Sequence, residues 1–217
     1  MKKKLINLVT GVIACGLLLC LVSNVYAVPV LVKNGGFETG DLSYWSSGGQ
    51  AGVQKAVVYS GSYAAYIGTV DFDKDNKNDF TNGAGDNVYN NWIQQTIDVT
   101  GADSLSLWYN VYTNDYGNND NPAFVIKIND TPEMTIAAKD ISGGKTGWTS
   151  WTYDLTGYDG NSLTLTIYAG NTYDTSFQSW AYVDDVSLTY PDPVPLPPSA
   201  YMLFPVLAGL VFWRRKK

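Results

Sequence analysis

Apolar and polar residues alternate with a period of two through most of residues 28–190, the signature of half-buried strands. In SLSLWYNVYT (104–113), Leu105, Leu107, Tyr109 and Val111 share one face, and Ser106, Trp108, Asn110 and Tyr112 share the other. LTLTIYAG (163–170) sets Leu163, Leu165 and Ile167 against Thr164, Thr166 and Tyr168. NWIQQTIDVT (91–100) turns Ile93, Ile97 and Val99 inward and Trp92, Gln94 and Thr96 outward. The pattern predicts strands at roughly 28–33, 51–58, 62–69, 91–99, 104–113, 123–129, 133–139, 148–155, 162–169 and 180–190. Turn clusters separate them: NGG, YSGS, GNNDNP, SGGKTG, TGYDGNS and GNTYDT. Eighteen of the twenty acids are Asp and only two are Glu, so turn formers abound and good helix formers are scarce. These features predict an all-β fold, an antiparallel β-sandwich. A connection as long as 70–90 inside a compact domain usually has a task or is disordered.

Two apolar segments flank this β region. Residues 1–27 read as a secretory signal: Lys2, Lys3 and Lys4, an apolar run, then VYA at 25–27. A lipoprotein cut at Cys15 is the rival reading. At the other end PDPVPLPP (191–198) is a stiff extended linker. Beyond it, 199–217 reads as a transmembrane helix with a basic tail. Residues 199–213 would give roughly 22 Å of helix against a ~30 Å hydrocarbon core, so the flanks are needed to span it. Pro205 would kink the helix. Arg214, Arg215, Lys216 and Lys217 mark a cytoplasmic end.

Removing both ends changes the charge. The whole chain carries −6, but the stretch between the terminal basic clusters has seven bases against twenty acids, a net charge of −13. Such a surface argues against nucleic acid and anionic membranes as partners. The chain has no histidine, which removes Ser-His-Asp and Cys-His catalysis and the common zinc sites. Both cysteines, Cys15 and Cys20, lie in the signal segment, so the mature domain has no internal disulfide. A carboxylate glycosidase remains conceivable, yet no acid stands out by its pattern, and a non-enzyme is expected.

NGGFETGDLSYW (34–45), VYSGSYAAYIG (58–68) and WAYVDDVSLTY (180–190) resemble the jelly-roll carbohydrate-binding modules, also described as galactose-binding-like. The resemblance implies a jelly-roll domain over 28–190 and one structural calcium, with Glu38 and Asp184 at the ligand positions. The residues agree on one point: Asp184 lies two before Val186 in a strand, so it is expected to face the core, where a carboxylate needs a partner or a cation. DFDKDNKND in the long loop places Asp71, Asp73, Asp75 and Asp79 at alternating spacing, a candidate second calcium site. It is not an EF-hand, because Asn76 stands where Gly is required and Asn82 where Glu is. A merely solvated acidic loop fits as well.

The outward sets suggest a sugar-binding surface. Trp92, Gln94, Trp108, Asn110, Tyr112 and Tyr168 offer rings for the C–H faces of sugars and amides for their hydroxyls. Aromatics and Thr are also ordinary strand formers. Tyr116 and Tyr173 are further candidates on loops. The chain's end, a short Pro motif, an apolar span and a basic cluster, resembles the PEP-CTERM sorting signal of Gram-negative bacteria that make exopolysaccharide. That resemblance implies an exosortase-type processing enzyme, a membrane intermediate, and final placement at the cell surface or in the matrix. The motif positions are Val194, Pro195, Leu196, Pro197 and Pro198, with Leu196 where the family has Glu. A permanent single-span anchor is the alternative. The expectation is a calcium-stabilised, polysaccharide-binding surface protein; its rival is a structural or adhesion protein without a defined glycan.

Overall fold

The computed structural model describes residues 31–68, 90–115, 121–170 and 178–191. The signal segment, the Asp71–Asp79 loop, Tyr116, Tyr173, the sorting motif and the basic tail lie outside the described residues. Among the described residues no helix is long and apolar enough to cross a membrane.

Ten strands form two antiparallel sheets. They are β1 (Ser46–Gly48), β2 (Ala51–Gln54), β3 (Ala64–Gly68), β4 (Trp92–Asp98), β5 (Ser104–Thr113), β6 (Pro122–Ile128), β7 (Thr131–Ala137), β8 (Thr149–Asp154), β9 (Ser162–Ala169) and β10 (Ser179–Thr189). One sheet has the order β1-β4-β9-β6-β7 and the other β2-β3-β10-β5-β8. From β4 to β10 the chain passes repeatedly between the two, as in a jelly roll. The predicted sandwich is therefore observed.

The inward faces are those read from the alternation. Ile93, Ile97, Leu163, Leu165 and Ile167 of one sheet pack with Leu105, Leu107, Val111, Ala65 and Val183 of the other in a single core. Tyr109 stacks on Phe124 across the interior, centroids 5.1 Å apart. Two elements differ from expectation. The predicted first strand is unpaired over residues 31–33, although Val32 still reaches the core. The strand that does occupy this edge is β1, whose Ser-Ser-Gly sequence has no apolar residue to announce it.

Candidate functional site

Strand β10 carries a bulge between Asp184 and Ser187. Asp185 sits in it at φ 48°. The extra residue shifts the in–out alternation by one, which corrects the expected orientation of Asp184. Ala181, Val183 and Val186 face the core. Asp184 stands on the other side of the sheet, opposite Trp108.

Asp184 is nonetheless fully buried, because residues 59–60 fold over it. Its Oδ2 accepts from Tyr59 N at 3.0 Å and Ser60 N at 3.1 Å, and its Oδ1 accepts from Asp185 N at 2.8 Å. Burial lifts its pKa above the ordinary carboxylate value; the three N–H donors oppose that rise, and the charge of Asp185 adds to it. Asp185 Oδ1 accepts from Ser60 Oγ at 2.9 Å. Glu38 takes the other half of the same turn, Oε1 accepting from Ser62 N at 3.0 Å and Tyr63 N at 3.1 Å. Three carboxylates thus hold the YSGSY turn (59–63). Gly61, at φ 63°, is required there because a Cβ would overlap the Glu38 carboxylate. Gly35 has a parallel role: its carbonyl accepts from Val186 N at 3.0 Å, and a Cβ would overlap the Val186 carbonyl.

Among the described residues no group of three or more His, Cys, Asp or Glu converges as a metal site. Glu38 and Asp184 do border one place: a Cβ on Gly36 would lie 3.8 Å from Glu38 Cγ and 4.0 Å from Asp184 Oδ1. Carboxylate oxygens are the donor type that calcium takes, and Asp185 Oδ1 lies 3.5 Å from the same point. Asp184 Oδ1 and Glu38 Oε2 each accept one hydrogen bond here, which leaves capacity for a further ligand.

The six aromatic and amide candidates divide between two opposite surfaces. Trp108, Asn110 and Tyr112 lie on the outer side of β5, where they meet Asp184, Tyr182 and Trp180 of β10. That side is not a wet platform. Tyr112 stacks on Trp180 at 5.2 Å and meets Tyr182 edge-on at 5.6 Å. Val57, Tyr66 and Trp148 close around Trp180 and Tyr182 as a second apolar cluster. Asn110 is buried within this surface, its Nδ2 donating to the Tyr112 hydroxyl at 3.4 Å. Tyr59 lies flat on Trp108, centroids 4.0 Å apart. Trp108 also borders an open groove of about 390 Å³ with Gly35, Gly36 and Asp185. Tyr59, Trp148 and Trp180 were not singled out in the sequence; the YSGS turn was the available signal for Tyr59.

Trp92, Gln94 and Tyr168 lie on the outer side of the other sheet, where β4 and β9 run together. Trp92 is opposite Tyr168, Gln94 opposite Thr166, and Thr96 opposite Thr164. Gln94 Nε2 donates to Thr166 Oγ1 at 2.8 Å, and the Thr96 and Thr164 hydroxyls are 3.2 Å apart. Gly48 of β1 faces Trp92; the indole occupies the space a side chain would need. Lys127 Nζ of β6 lies 5.1 Å from the Tyr168 ring centroid. Trp92, Gln94 and Tyr168 are half-buried, so their edges are held while part of each surface stays open.

The fold and this surface define the chain as an all-β, two-sheet antiparallel sandwich. No family model and no curated protein matches the sequence. Solved structures similar to it include TmCBM61 in complex with β-1,4-galactotriose, at 15% identity and a TM-score of 0.47, over 76% of this chain and 100% of that one. The CBM22-1 xylan-binding domain from Paenibacillus barcinonensis Xyn10C is similar at 14% identity and 0.38, over 72% of this chain and 93% of that one. The enzymatically active domain of bacteriophage CBA120 tailspike protein 4 is similar at 13% and 0.41, over 73% of this chain but 21% of that one.

Proposed function

We propose that this is an exported, non-catalytic polysaccharide-binding protein whose ligand lies across the outer face of β4 and β9. The observation that carries the reading is Trp92 paired directly with Tyr168 on neighbouring strands, with the Gln94–Thr166 hydrogen bond one step along. Two rings side by side stack against the C–H faces of sugars, and the adjoining amide and hydroxyls exchange hydrogen bonds with sugar hydroxyls. Both are held by a sheet rather than a loop, so little freedom is lost on binding. Tyr112 belongs to the other sheet's apolar cluster, Trp108 and Asn110 lie on that same outer side, and none of the three has a part in this face.

In this reading calcium is held by Glu38 and Asp184 and keeps the 59–63 turn in place. The segment Val194–Pro198, the apolar span after it and the basic tail act as a sorting signal. An exosortase-type enzyme at the membrane cuts it and leaves the domain at the cell surface or in the matrix of a Gram-negative bacterium. The test is a glycan array probed with the full-length chain, with and without calcium. Trp92→Ala and Tyr168→Ala should each lose binding while keeping the wild-type melting temperature to within a few degrees. Wild-type binding by both variants would remove the ligand from this face.

A further inference from the structure

The strands that end the two sheets are β1 and β7 in one and β2 and β8 in the other. A strand at a sheet edge offers unpaired N–H and C=O groups to any second strand, and proteins that stay single blunt such edges. Three of these four are blunted. β1 has three residues and β2 has four. β7 carries Pro132, which has no N–H to give, then Glu133, and its register against β6 slips between Ile126 and Lys127. β8 has none of these devices. Its six residues, TSWTYD, include no Pro, Gly or Lys, and they pair with β5 in unbroken register. Its one charge, Asp154, comes last and is turned onto Thr156 N at 2.8 Å.

The side chains of β8 suit a strand beside it. Trp151 lies opposite Leu107 and Tyr153 opposite Leu105, so both rings are on the core side of the sheet. They stack with centroids 6.0 Å apart and are half-buried at the margin. Among the described residues no further strand covers them. Ser150 and Thr152 point the other way, opposite Trp108 and Ser106, and are exposed.

We propose that β8 pairs antiparallel with β8 of a second copy of this chain, about a twofold axis at Thr152. Thr152 then faces its own counterpart, Trp151 faces Tyr153 twice, and Ser150 faces Asp154 twice. Every pair sets core side beside core side, and none sets two like charges opposite one another. Directly opposed residues lie ~4.5–5.5 Å apart, so the four rings form one cluster across the junction. A twofold at Trp151 would leave each Tyr153 against Thr149. A twofold between two residues would set the core side of one copy beside the outer side of the other.

The junction is one strand wide, below the ~1,200 Å² of a standard interface, so the dimer forms at about 10 µM rather than at nanomolar concentration. Repulsion between the two acidic domains is screened beyond ~10 Å at about 0.1 M salt. The axis stands normal to the sheet, so the outer faces of β4 and β9 in both copies point to the same side. On the glycan-binding reading, which the self-pairing itself does not need, one polysaccharide surface meets two such faces at once and a weak site gains avidity.

The experiment is sedimentation velocity of the protein expressed in its native host, from about 1 µM to about 1 mM. The wild type should pass from monomer to dimer with a midpoint of about 10 µM. Thr152→Lys sets two ammonium groups face to face at the axis and should weaken association at least about tenfold. Its melting temperature should stay within a few degrees of wild type, because Thr152 is exposed. Thr152→Cys, with Cys15→Ser and Cys20→Ser, should form a disulfide-linked dimer under mild oxidation, since opposed Cα atoms fall within the about 4.4–6.8 Å that a disulfide spans. Thr96→Cys in the same background, exposed on β4, should not. A wild type that stays monomeric to about 1 mM overturns the proposal. So does a dimer that Thr152→Lys leaves intact, the lack of a disulfide at Thr152, or a disulfide that forms as readily at Thr96.

Discussion

Replacing Asp184 with Ala tests the carboxylate clamp most directly. The side chain is fully buried and accepts three main-chain hydrogen bonds, from Tyr59, Ser60 and Asp185. Hydrogen bonds to a charged acceptor contribute about 1.5–3 kcal/mol each. They are not additive, and removing a buried carboxylate also relieves the desolvation that raises its pKa. A net loss of about 3 kcal/mol is the reasonable expectation, from two part-buried N–H groups left without acceptors and the space vacated. For a domain of this size that lowers the melting temperature by roughly 6–12 °C. Differential scanning calorimetry of the wild type and Asp184→Ala, each with calcium and with chelator, separates the two roles of the carboxylate. If it also holds calcium, chelator lowers the wild-type transition by mass action and leaves the variant unmoved. If it only clamps the turn, both proteins ignore the chelator and the gap between them persists. An Asp184→Ala protein that melts with the wild type would refute the clamp and with it the account of why residues 59–63 lie where they do.

Gly61→Ala should destabilise by about 1–3 kcal/mol, since it forces a left-handed alanine against the Glu38 carboxylate; chemical denaturation measures it, and Gly157→Ala, where a Cβ meets nothing within 4 Å, gives the cost of the positive φ alone. Tyr112→Ala should lower stability by about 3 kcal/mol through loss of the Trp180 and Tyr182 contacts; retained stability with lost glycan binding would return Tyr112 to the role expected from sequence. Intact mass of the protein from its native host should lack both apolar ends and stop between Val194 and Ala200; recovery through Lys217 would leave a plain anchor.

Periodicity made the core legible because every second residue of β4, β5 and β9 is buried, Ile93, Leu105 and Leu165 among them, although Gln95 is a polar member of that inner set and Asn110 and Thr166 are buried on the outer side. It marks inside and outside but not which sheet a strand joins. That is why Trp92 and Trp108 looked equivalent and stand on opposite surfaces. Nor does it distinguish an outer face open to water from one roofed by a loop, so the burial of Asn110 was not foreseen. Alternation failed at β10 because the bulge residue is Asp185 rather than the Gly that usually betrays a left-handed position. The positive φ of Tyr44 was equally hidden, since nothing in LSYW announces it.

The second apolar cluster gives the sandwich a back and a front. Sheet β2-β3-β10-β5-β8 carries apolar packing on both sides around Trp180 and Tyr182, so the amides there should be the last to exchange with deuterium, well after those of the short edge strand β1. Substitutions on that side alter stability before they alter anything else. Across the molecule, Gln94, Thr96, Thr164 and Lys127 can be exchanged for other polar side chains with little disturbance to either apolar cluster. Such a scaffold can change its ligand by drift at a few front positions while the back keeps the fold above its stability threshold.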